Sequence, residues 1–533
     1  MKKEEKLLEE IGKIDEDLIP EVTVNGNEEE SVSKDTGAIV DCTKMMGKKK
    51  RVNYRAIWLS VGAVAAAALL AIVILPKTLW ENKGDSTITS GTPGVQTSDS
   101  GPVAGGQVDV VDEIYQAHLM ASPVYPEIPP YPDLSDQEWN EAHRAWNEAL
   151  SELRNQPHGY KDGYDEYCKK VLTTVFADVG ENDNRVFSPL SLYMALAMTA
   201  EASDGATRQQ ILDVLCQPDI ETSRAHTKSI WLANYMDDGL SELLLGNSLW
   251  MNSNRTYKQE LLEILASEYF ASCFCGDPSE DAYSDVFRKW INKQTGDLLK
   301  DFTDSVRLDP AMTLTLASTV YFSGQWSVEF DSYETAPAPF HATVGDETCD
   351  FMKNSLSCSY CNQGENFVAV TLDMKGNGEM RLLLPAEGMT PEELLQDEEA
   401  LLFLNTADRE VDMETFEDCV DVYVPKFDFS STIELRSYLE KLGIANAFAS
   451  GEADFSPLSP EAAGLCISSI VQDSRVMIDE KGCKAASVTI VELGMGGPLE
   501  PIGEVRFDRP FVFEIMSENG LPLFVGVVNN PKA

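Results

Sequence analysis

The sequence predicts an α+β domain preceded by one transmembrane helix. From about Tyr160 to the C-terminus, helical and extended segments alternate, with helical spacing mostly early and β-rich runs mostly later. Several predicted strands are apolar at nearly every position, so both of their faces must be covered. Mainly antiparallel sheets packed against helices satisfy both observations. Near the N-terminus, a stretch of twenty residues carries no charge.

The composition permits a large core and argues against some partners. The chain has 533 residues, of which 43% are hydrophobic, which suits one large domain with appendages. A formal net charge of -46 lacks the basic footprint that nucleic acids and anionic membrane surfaces require. The eleven cysteines fit no closed disulfide framework, and neither Cys273/Cys275 nor Cys358/Cys361 has the second half of a zinc site. We expect no metal and no cofactor.

The uncharged stretch, residues 56–75, predicts a transmembrane helix. Twenty residues at about 1.5 Å each span the hydrocarbon core of a bilayer. Five cations precede the stretch within residues 48–55, and the nearest ones after it are Lys77 and Lys83. The positive-inside rule therefore predicts a cytoplasmic N-terminus and an extracytoplasmic domain in a single-pass protein of the cell membrane. Since 55 residues precede this stretch and it is long enough to span a bilayer, the stretch fits an uncleaved signal anchor better than a cleaved signal peptide.

The regions around the span differ in composition. Residues 1–55 form a charged cytoplasmic tail that is poor in aromatic residues. Residues 76–106 form a flexible linker rich in Gly, Ser, Thr and Pro. Residues 107–159 contain a proline cluster and one amphipathic stretch, which predicts a stalk or ancillary helix. The main domain then occupies residues 160–533.

Within that domain, the periodicity predicts individual elements. The segments with helical spacing are 164–179, 193–203, 207–215, 258–270 and 285–302. The extended segments are 313–322, 367–374, 379–385, 418–429, 468–480, 505–516 and 521–528.

Four blocks in colinear order resemble the serpin family. They are residues 184–212, residues 315–330 with Trp326, residues 420–448 followed by 453–459, and residues 505–531 with the core FDRPF. The resemblance covers roughly 370 residues. It implies a bacterial-type serpin with an N-terminal signal anchor and a serpin fold. Such a fold has about three mainly antiparallel β-sheets, about nine helices and an exposed reactive loop, in a protein expected to be a monomer.

The segment after residue 480 has a two-faced pattern that a plain surface loop would not need. Successive residues of a strand point to opposite sides, so one face of a strand from Cys483 to Leu493 would be uncharged and the other would hold both charges. Such a segment can be buried as a central strand without stranding a charge. The uncharged face has Cys483, Ala485, Ser487, Thr489, Val491 and Leu493, and the other has Lys484, Ala486, Val488, Ile490 and Glu492.

The resemblance implies that this segment is a reactive loop that a protease attacks and that then inserts into the main sheet. The partner would be a serine protease, held as a covalent acyl complex. The implied scissile bond is Met495–Gly496, with Leu499 as the alternative. No Lys or Arg lies between Lys484 and Arg506, which favours elastase- or subtilisin-like targets over trypsin-like ones. The implied hinge residues are Glu480, Gly482, Cys483, Ala485, Ala486 and Ser487.

The resemblance also assigns a sheet-opening region and shows two departures there. Ser318 replaces the usual asparagine and Gln472 replaces the usual histidine, so we expect a substituted hydrogen bond between them. Cys483 replaces a threonine of similar size, so insertion should survive, with a new oxidation liability. The implied sheet-opening residues are Ser188, Ser191, Ser318, Trp326 and Gln472.

Other function classes have less support. The five histidines are not near a G-x-S-x-G motif, and neither H-E-x-x-H nor a P-loop is present, so we expect no catalytic residues and no enzyme activity. Two alternatives remain open. One is a non-inhibitory serpin that acts as a binding module, and the other is a serpin that also inhibits cysteine proteases.

Overall fold

Helices and sheets alternate along most of the chain in the computed structural model. The residues described are 110–128, 136–238, 241–304, 306–310, 312, 314–356, 360–375, 378–406, 414–415, 420–467, 470–483 and 503–532. Each helix in these residues is too short or too polar to cross a bilayer. The predicted tail (1–55), transmembrane helix (56–75) and linker (76–106) lie outside them.

The described residues after residue 160 contain ten helices, close to the nine expected. Two of these helices are only four residues long. The helix predicted over 285–302 is interrupted because Gly296 and Asp297 adopt positive φ. The helices are α1 Val110–His118, α2 Asp136–Arg154, α3 Tyr164–Val175, α4 Pro189–Ala202, α5 Gly205–Val214, α6 Ile220–Asn234, α7 Gln259–Glu268, α8 Asp281–Gln294, α9 Lys300–Thr303, α10 Pro391–Leu394, α11 Glu398–Asn405 and α12 Arg436–Leu442, with a 3₁₀ turn at Asn446–Phe448.

The strands interleave with the helices more than the sequence predicts. They are β1 Leu119–Ala121, β2 Arg185–Phe187, β3 Met236–Asp237, β4 Glu242–Asn252, β5 Ala271–Gly276, β6 Leu314–Gln325, β7 Ala336–Ala342, β8 Gly345–Leu356, β9 Cys361–Gln363, β10 Phe367–Asp373, β11 Glu379–Pro385, β12 Glu414–Thr415, β13 Val420–Pro425, β14 Phe427–Glu434, β15 Val471–Asp479, β16 Gly482–Cys483, β17 Gly503–Arg506, β18 Phe511–Met516 and β19 Pro522–Val528.

The described strands form three sheets, as expected. The main sheet has the order β1-β5-β4-β6-β16-β15-β14, with β3 paired to β4. The second sheet has the order β12-β9-β10-β11-β18-β19-β2, and the third β17-β13-β8-β7. Pairing is antiparallel except between β4 and β5 and between β13 and β17. The prediction of mainly antiparallel sheets is confirmed.

Helix α4 lies behind the main sheet and is apolar around its whole circumference. Its first turn is capped by Ser188, whose hydroxyl accepts a hydrogen bond from the Ser191 N–H, and Pro189 occupies the first helical position. Thirteen of its fourteen residues are buried, as expected of a helix surrounded by core. It contacts β6 on one side and β19 on another.

Residues 110–128, part of the segment predicted to be a stalk or ancillary helix, pack on the main sheet. Strand β1 pairs with β5 at the sheet's outer edge. The Tyr115 ring meets the Phe274 ring edge-on, with centroids 5.1 Å apart. The Tyr125 ring stacks on Trp231 of α6, with centroids 5.4 Å apart and 6° between the planes. This segment is therefore part of the folded body.

Candidate functional site

A slot divides the main sheet between β6 and β15. One edge of β6 pairs with β4 from Leu314 to Ser323. Among the described residues, its other edge pairs only at Gly324 and Gln325, with β16. The facing edge of β15 likewise pairs with β16 only at its end, through Ile478 and Asp479. Because β16 is antiparallel to both neighbours, β6 and β15 run parallel on either side of the slot.

A cluster of hydrogen bonds around Glu480 fixes the upper end of the slot. The Glu480 carboxylate accepts from Lys426 Nζ at 2.9 Å and from the Thr335 hydroxyl at 3.0 Å. Its main-chain carbonyl accepts from the Phe330 N–H at 2.9 Å. Burial opposes ionisation, but the bonds from Lys426 and Thr335 lower the pKa of Glu480 below its ordinary value. The first hinge residue is thus an ionised anchor.

Trp326 lies beside this anchor at the upper end of the slot. Its side chain is 1% exposed, and its indole N–H donates to the Asp479 carbonyl at 2.9 Å. Its own main-chain N–H donates to the Lys481 carbonyl at 3.0 Å. Trp326 therefore ties the end of β6 to the turn between β15 and β16.

Gly482 is the residue at which the chain enters the slot. The Asp479 carboxylate accepts from the Lys481 N–H at 2.8 Å and from the Gly482 N–H at 3.3 Å, which turns the chain back toward the sheet. A β-carbon at position 482 would lie 2.2 Å from the Gly324 carbonyl oxygen. Since that neighbour is backbone, only glycine fits between β15 and β6 here.

Cys483 follows on the inner face of the sheet and is 4% exposed. Burial raises the pKa of its thiol to about 12. The thiol is therefore protonated at neutral pH, and a protonated thiol is a poor nucleophile. Burial thus weakens the oxidation liability expected from the sequence while the hinge is docked.

The middle of the slot is held by Gln472 on β15 and by two serines of the α4 turn. The Gln472 side-chain carbonyl accepts from the Ser188 N–H at 2.8 Å, and its amide donates to the Ser188 carbonyl at 2.9 Å. The Ser191 hydroxyl donates to the Ser318 carbonyl at 2.9 Å. Each of the two strands that border the slot is thus tied separately to the start of α4.

The prediction of a hydrogen bond between Ser318 and Gln472 is wrong. The amide of Gln472 has both a donor and an acceptor, and both are engaged by the main chain of Ser188. The Ser318 hydroxyl is buried without a hydrogen-bond partner. The physical reason is that each residue is tied to the start of α4 instead: Gln472 to the main chain of Ser188, and Ser318 to Ser191 through its carbonyl.

The structure brings together the described part of the predicted site. Four of these residues meet at the upper end of the slot: Glu480, Gly482, Cys483 and Trp326. Farther along the slot, Ser188 bonds Gln472 and Ser191 bonds Ser318. The other predicted positions, Ala485, Ala486, Ser487, Met495, Gly496 and Leu499, lie outside the described residues. The chain is described again from Gly503, where β17 pairs in parallel with β13.

Sequence reasoning missed the partners of the anchor, Lys426, Thr335 and Asp479. Lys426 is 54 residues from Glu480 along the chain, and no local pattern joins them. It also missed a small apolar cavity at the lower end of the slot, between β6 and the segment before β15. Residues lining this cavity include Leu314, Leu316, Phe455, Leu465, Ile467 and Ile470.

Known proteins resemble this chain over about two thirds of its length. The family profile described as Serpin (serine protease inhibitor) matches residues 165–531. The alpha-1-antiproteinase of Rattus norvegicus is 31% identical over 362 residues, which cover 65% of this chain and 84% of the rat protein.

Solved structures agree on the fold. Tengpin, a thermophilic serpin in its native state, superposes with a TM-score of 0.63 at 24% identity, covering 70% of this chain and 95% of tengpin. Human thyroxine-binding globulin in complex with thyroxine superposes with a TM-score of 0.58 at 25% identity, covering 69% of this chain and 100% of the globulin.

Proposed function

Because the chain belongs to the serpin family, we propose that it inhibits serine proteases as a suicide substrate. The observation that carries the proposal is the slot between β6 and β15, with Gly482 and Cys483 already paired to both strands at its upper end. Residues 484–502, which lie outside the described residues, would be the bait loop. The slot would be the place that the cleaved loop enters.

The pairing of β16 predicts the register of the inserted loop. Cys483 lies opposite Gly324 of β6 and Ile478 of β15. If the antiparallel register continues, Leu493 comes to lie opposite Leu314, the first residue of β6. The eleven residues from Cys483 to Leu493 then match the eleven positions of β6 from Gly324 down to Leu314, about 36 Å of strand.

The same register predicts which face of the loop is buried. Alternate residues of β15, from Gln472 to Ile478, are buried against the core. The uncharged face of the loop, with Cys483 and Ala485, would share that side, because directly opposed residues point the same way. Lys484 and Glu492 would point to the outer side. Insertion would therefore bury no charge in the core.

The lower half of the slot also suits this register. Thr489 would lie opposite both Ser318 and Gln472, where its hydroxyl could serve the unpartnered Ser318 hydroxyl. Val491 and Leu493 would lie opposite Leu316 and Leu314, which line the apolar cavity. Insertion would thus provide a partner for a buried polar group and fill an apolar space.

The proposed reaction begins as ordinary proteolysis. The serine Oγ of the protease attacks the carbonyl carbon of Met495, or of Leu499, an ester bond forms, and the amino group of the following residue leaves. Insertion of Cys483–Leu493 then drags the acylated protease along the sheet before water can hydrolyse the ester. Targets with elastase- or subtilisin-like pockets fit the apolar residues at the loop tip.

We propose further that the inhibitor is monomeric and anchored to the cell membrane by residues 56–75, with its domain outside. A second candidate is a non-inhibitory binding module, which the likeness to thyroxine-binding globulin favours. A third is inhibition of cysteine proteases as well, through a thioester with the enzyme's cysteine. One experiment discriminates among all three.

The protein is incubated with pancreatic elastase, subtilisin and papain, and the products are separated on a denaturing gel. A trap gives an SDS-stable complex with elastase or subtilisin, and the same complex with papain would add the cysteine class. Clean cleavage without a complex would leave only the binding module.

Two matched variants test the buried face. Ala485→Arg would place a guanidinium opposite Phe322 and Val476 on the core side, so it should turn the inhibitor into a substrate. Ala486→Arg adds the same charge on the outer side, where Lys484 already stands, and should still trap. Equal behaviour of the two variants would refute the proposed register.

A further inference from the structure

The segment that joins the main sheet to the third sheet presents an exposed tyrosine. It runs from Trp326 to Thr335, between β6 and β7. The Tyr333 side chain is 96% exposed, the most of any large hydrophobic side chain in the described residues, and Val328 in the same segment is 62% exposed. Large exposed aromatic side chains beside a functional site are typical of protein–protein interaction surfaces.

The tyrosine is held by a well-ordered turn. The Asp331 carboxylate accepts from the Tyr333 N–H at 2.8 Å, and the Asp331 carbonyl accepts from the Glu334 N–H at 2.9 Å. These bonds fix the backbone on both sides of Tyr333 before any partner arrives. A partner therefore has to order only the side chain of Tyr333 and not the backbone that carries it.

The turn is bonded directly to the residues at which the proposed bait loop begins. The N–H of Phe330 and the hydroxyl of Thr335 both donate to Glu480, at 2.9 and 3.0 Å. Tyr333 is two residues from Thr335, about 7 Å along an extended chain. The residue at which the proposed bait loop begins therefore lies beside this turn.

The turn and the residues that follow it carry several acidic side chains. Residues 327–350 include no Lys or Arg, and their acidic residues are Glu329, Asp331, Glu334, Asp346, Glu347 and Asp350. Glu329 is paired with Lys375, and Glu334 interacts electrostatically with Lys353. The Asp331 and Glu334 side chains are both exposed to solvent. Such a surface attracts a cationic partner and repels an acidic one, including a second copy of this chain.

The neighbouring strand β7 disfavours docking by strand addition. It forms an edge of the third sheet and contains Pro337 and Pro339. Proline has no N–H to donate to an added strand, so it protects a sheet edge. A partner at this place would contact side chains, among which Tyr333 projects furthest into solvent.

We propose that residues 327–335 are a second docking site for the target protease, centred on Tyr333. The site selects enzymes that have a basic rim beside the active-site cleft. This proposal rests on the proposed function, since it places the bait loop next to the turn. Under this proposal, the choice of target protease depends on the charge of the enzyme's surface as well as on the sequence of the bait loop.

The test measures the association rate constant with basic pancreatic elastase and with an acidic subtilisin, at low and at physiological salt. Tyr333→Ala should slow association with elastase about tenfold, the size expected for loss of a central tyrosine. Asp331→Asn combined with Glu334→Gln should flatten the salt dependence for elastase. The charge-matched control is Glu148→Gln with Glu152→Gln on the exposed face of α2, which should change neither quantity.

A second measurement separates this proposal from the trapping mechanism. Anhydro-elastase, whose catalytic serine has been converted so that it binds but does not cleave, reports the encounter complex alone. If wild-type protein is merely cleaved by active elastase, the trapping mechanism fails, and the weaker binding of Tyr333→Ala to anhydro-elastase still supports the docking site. Equal affinity of wild type and Tyr333→Ala for anhydro-elastase overturns the docking site, even if trapping is efficient.

Discussion

Replacing Gln472 tests how the slot is held together. Gln472→Met keeps the length and most of the volume of the side chain but removes both hydrogen bonds to Ser188. The buried Ser188 N–H then has no partner, which costs about 1–3 kcal/mol, whereas its carbonyl still accepts from the Leu192 N–H. With the second lost bond included, we expect the free energy of unfolding to fall by about 2–4 kcal/mol.

The matched control lies across the slot. The Ser318 hydroxyl has no hydrogen-bond partner, so Ser318→Ala should change the free energy of unfolding by less than about 0.5 kcal/mol or increase it. Both variants are unfolded in guanidinium chloride under the same conditions, and free energies are compared only if the m values agree. A Ser318→Ala loss equal to that of Gln472→Met would contradict this account, because it would indicate a direct Ser318–Gln472 pair.

Three further predictions concern other parts of the domain. Gly482→Ala should raise the number of inhibitor molecules consumed per trapped protease, because the added β-carbon would meet the Gly324 carbonyl. The control is Lys481→Ala at the exposed neighbouring position, which should leave that number unchanged. Burial raises the pKa of Glu514 well above its ordinary value, although Arg381 opposes the shift. The free energy of unfolding should therefore fall as pH rises above about 4.3, where the carboxyl ionises in the unfolded chain before it does in the folded one. Glu514→Gln should therefore stabilise the domain at pH 8 but not at pH 4 in thermal unfolding. Tyr125→Ala should lower the free energy of unfolding by about 1–3 kcal/mol through lost stacking, whereas the 87%-exposed Val124→Ala should not.

Much of the fold could be predicted because its determinants are local or carried by long family-like blocks. The helix cap at Ser188, the proline after it and the apolar run of α4 are all local features. The alternation after Cys483 is local as well, and the pairing of Gly482 and Cys483 agrees with the face that it assigns inward. Gly296 and Asp297 show the limit, because the periodicity continues through them although the helix does not.

The side-chain partners within the site could not be predicted for a different reason. The sequence shows that an asparagine and a histidine of the family are replaced by Ser318 and Gln472, but it does not show the distance across the slot. Gln472 instead bonds the main chain of Ser188, 284 residues away, and a main-chain partner leaves no trace in the sequence. Lys426 and Glu480 are also far apart in sequence, at a separation of 54 residues.

The short strand β1 has a consequence for how copies of this protein behave side by side. An unpaired strand at the border of a sheet can pair with a strand of another molecule. Strand β1 pairs with Cys273 and Phe274 in the middle of the six-residue border strand β5. What is left of that border is too short and interrupted to template another chain. This border of the main sheet therefore offers a second copy of the protein no continuous backbone ladder.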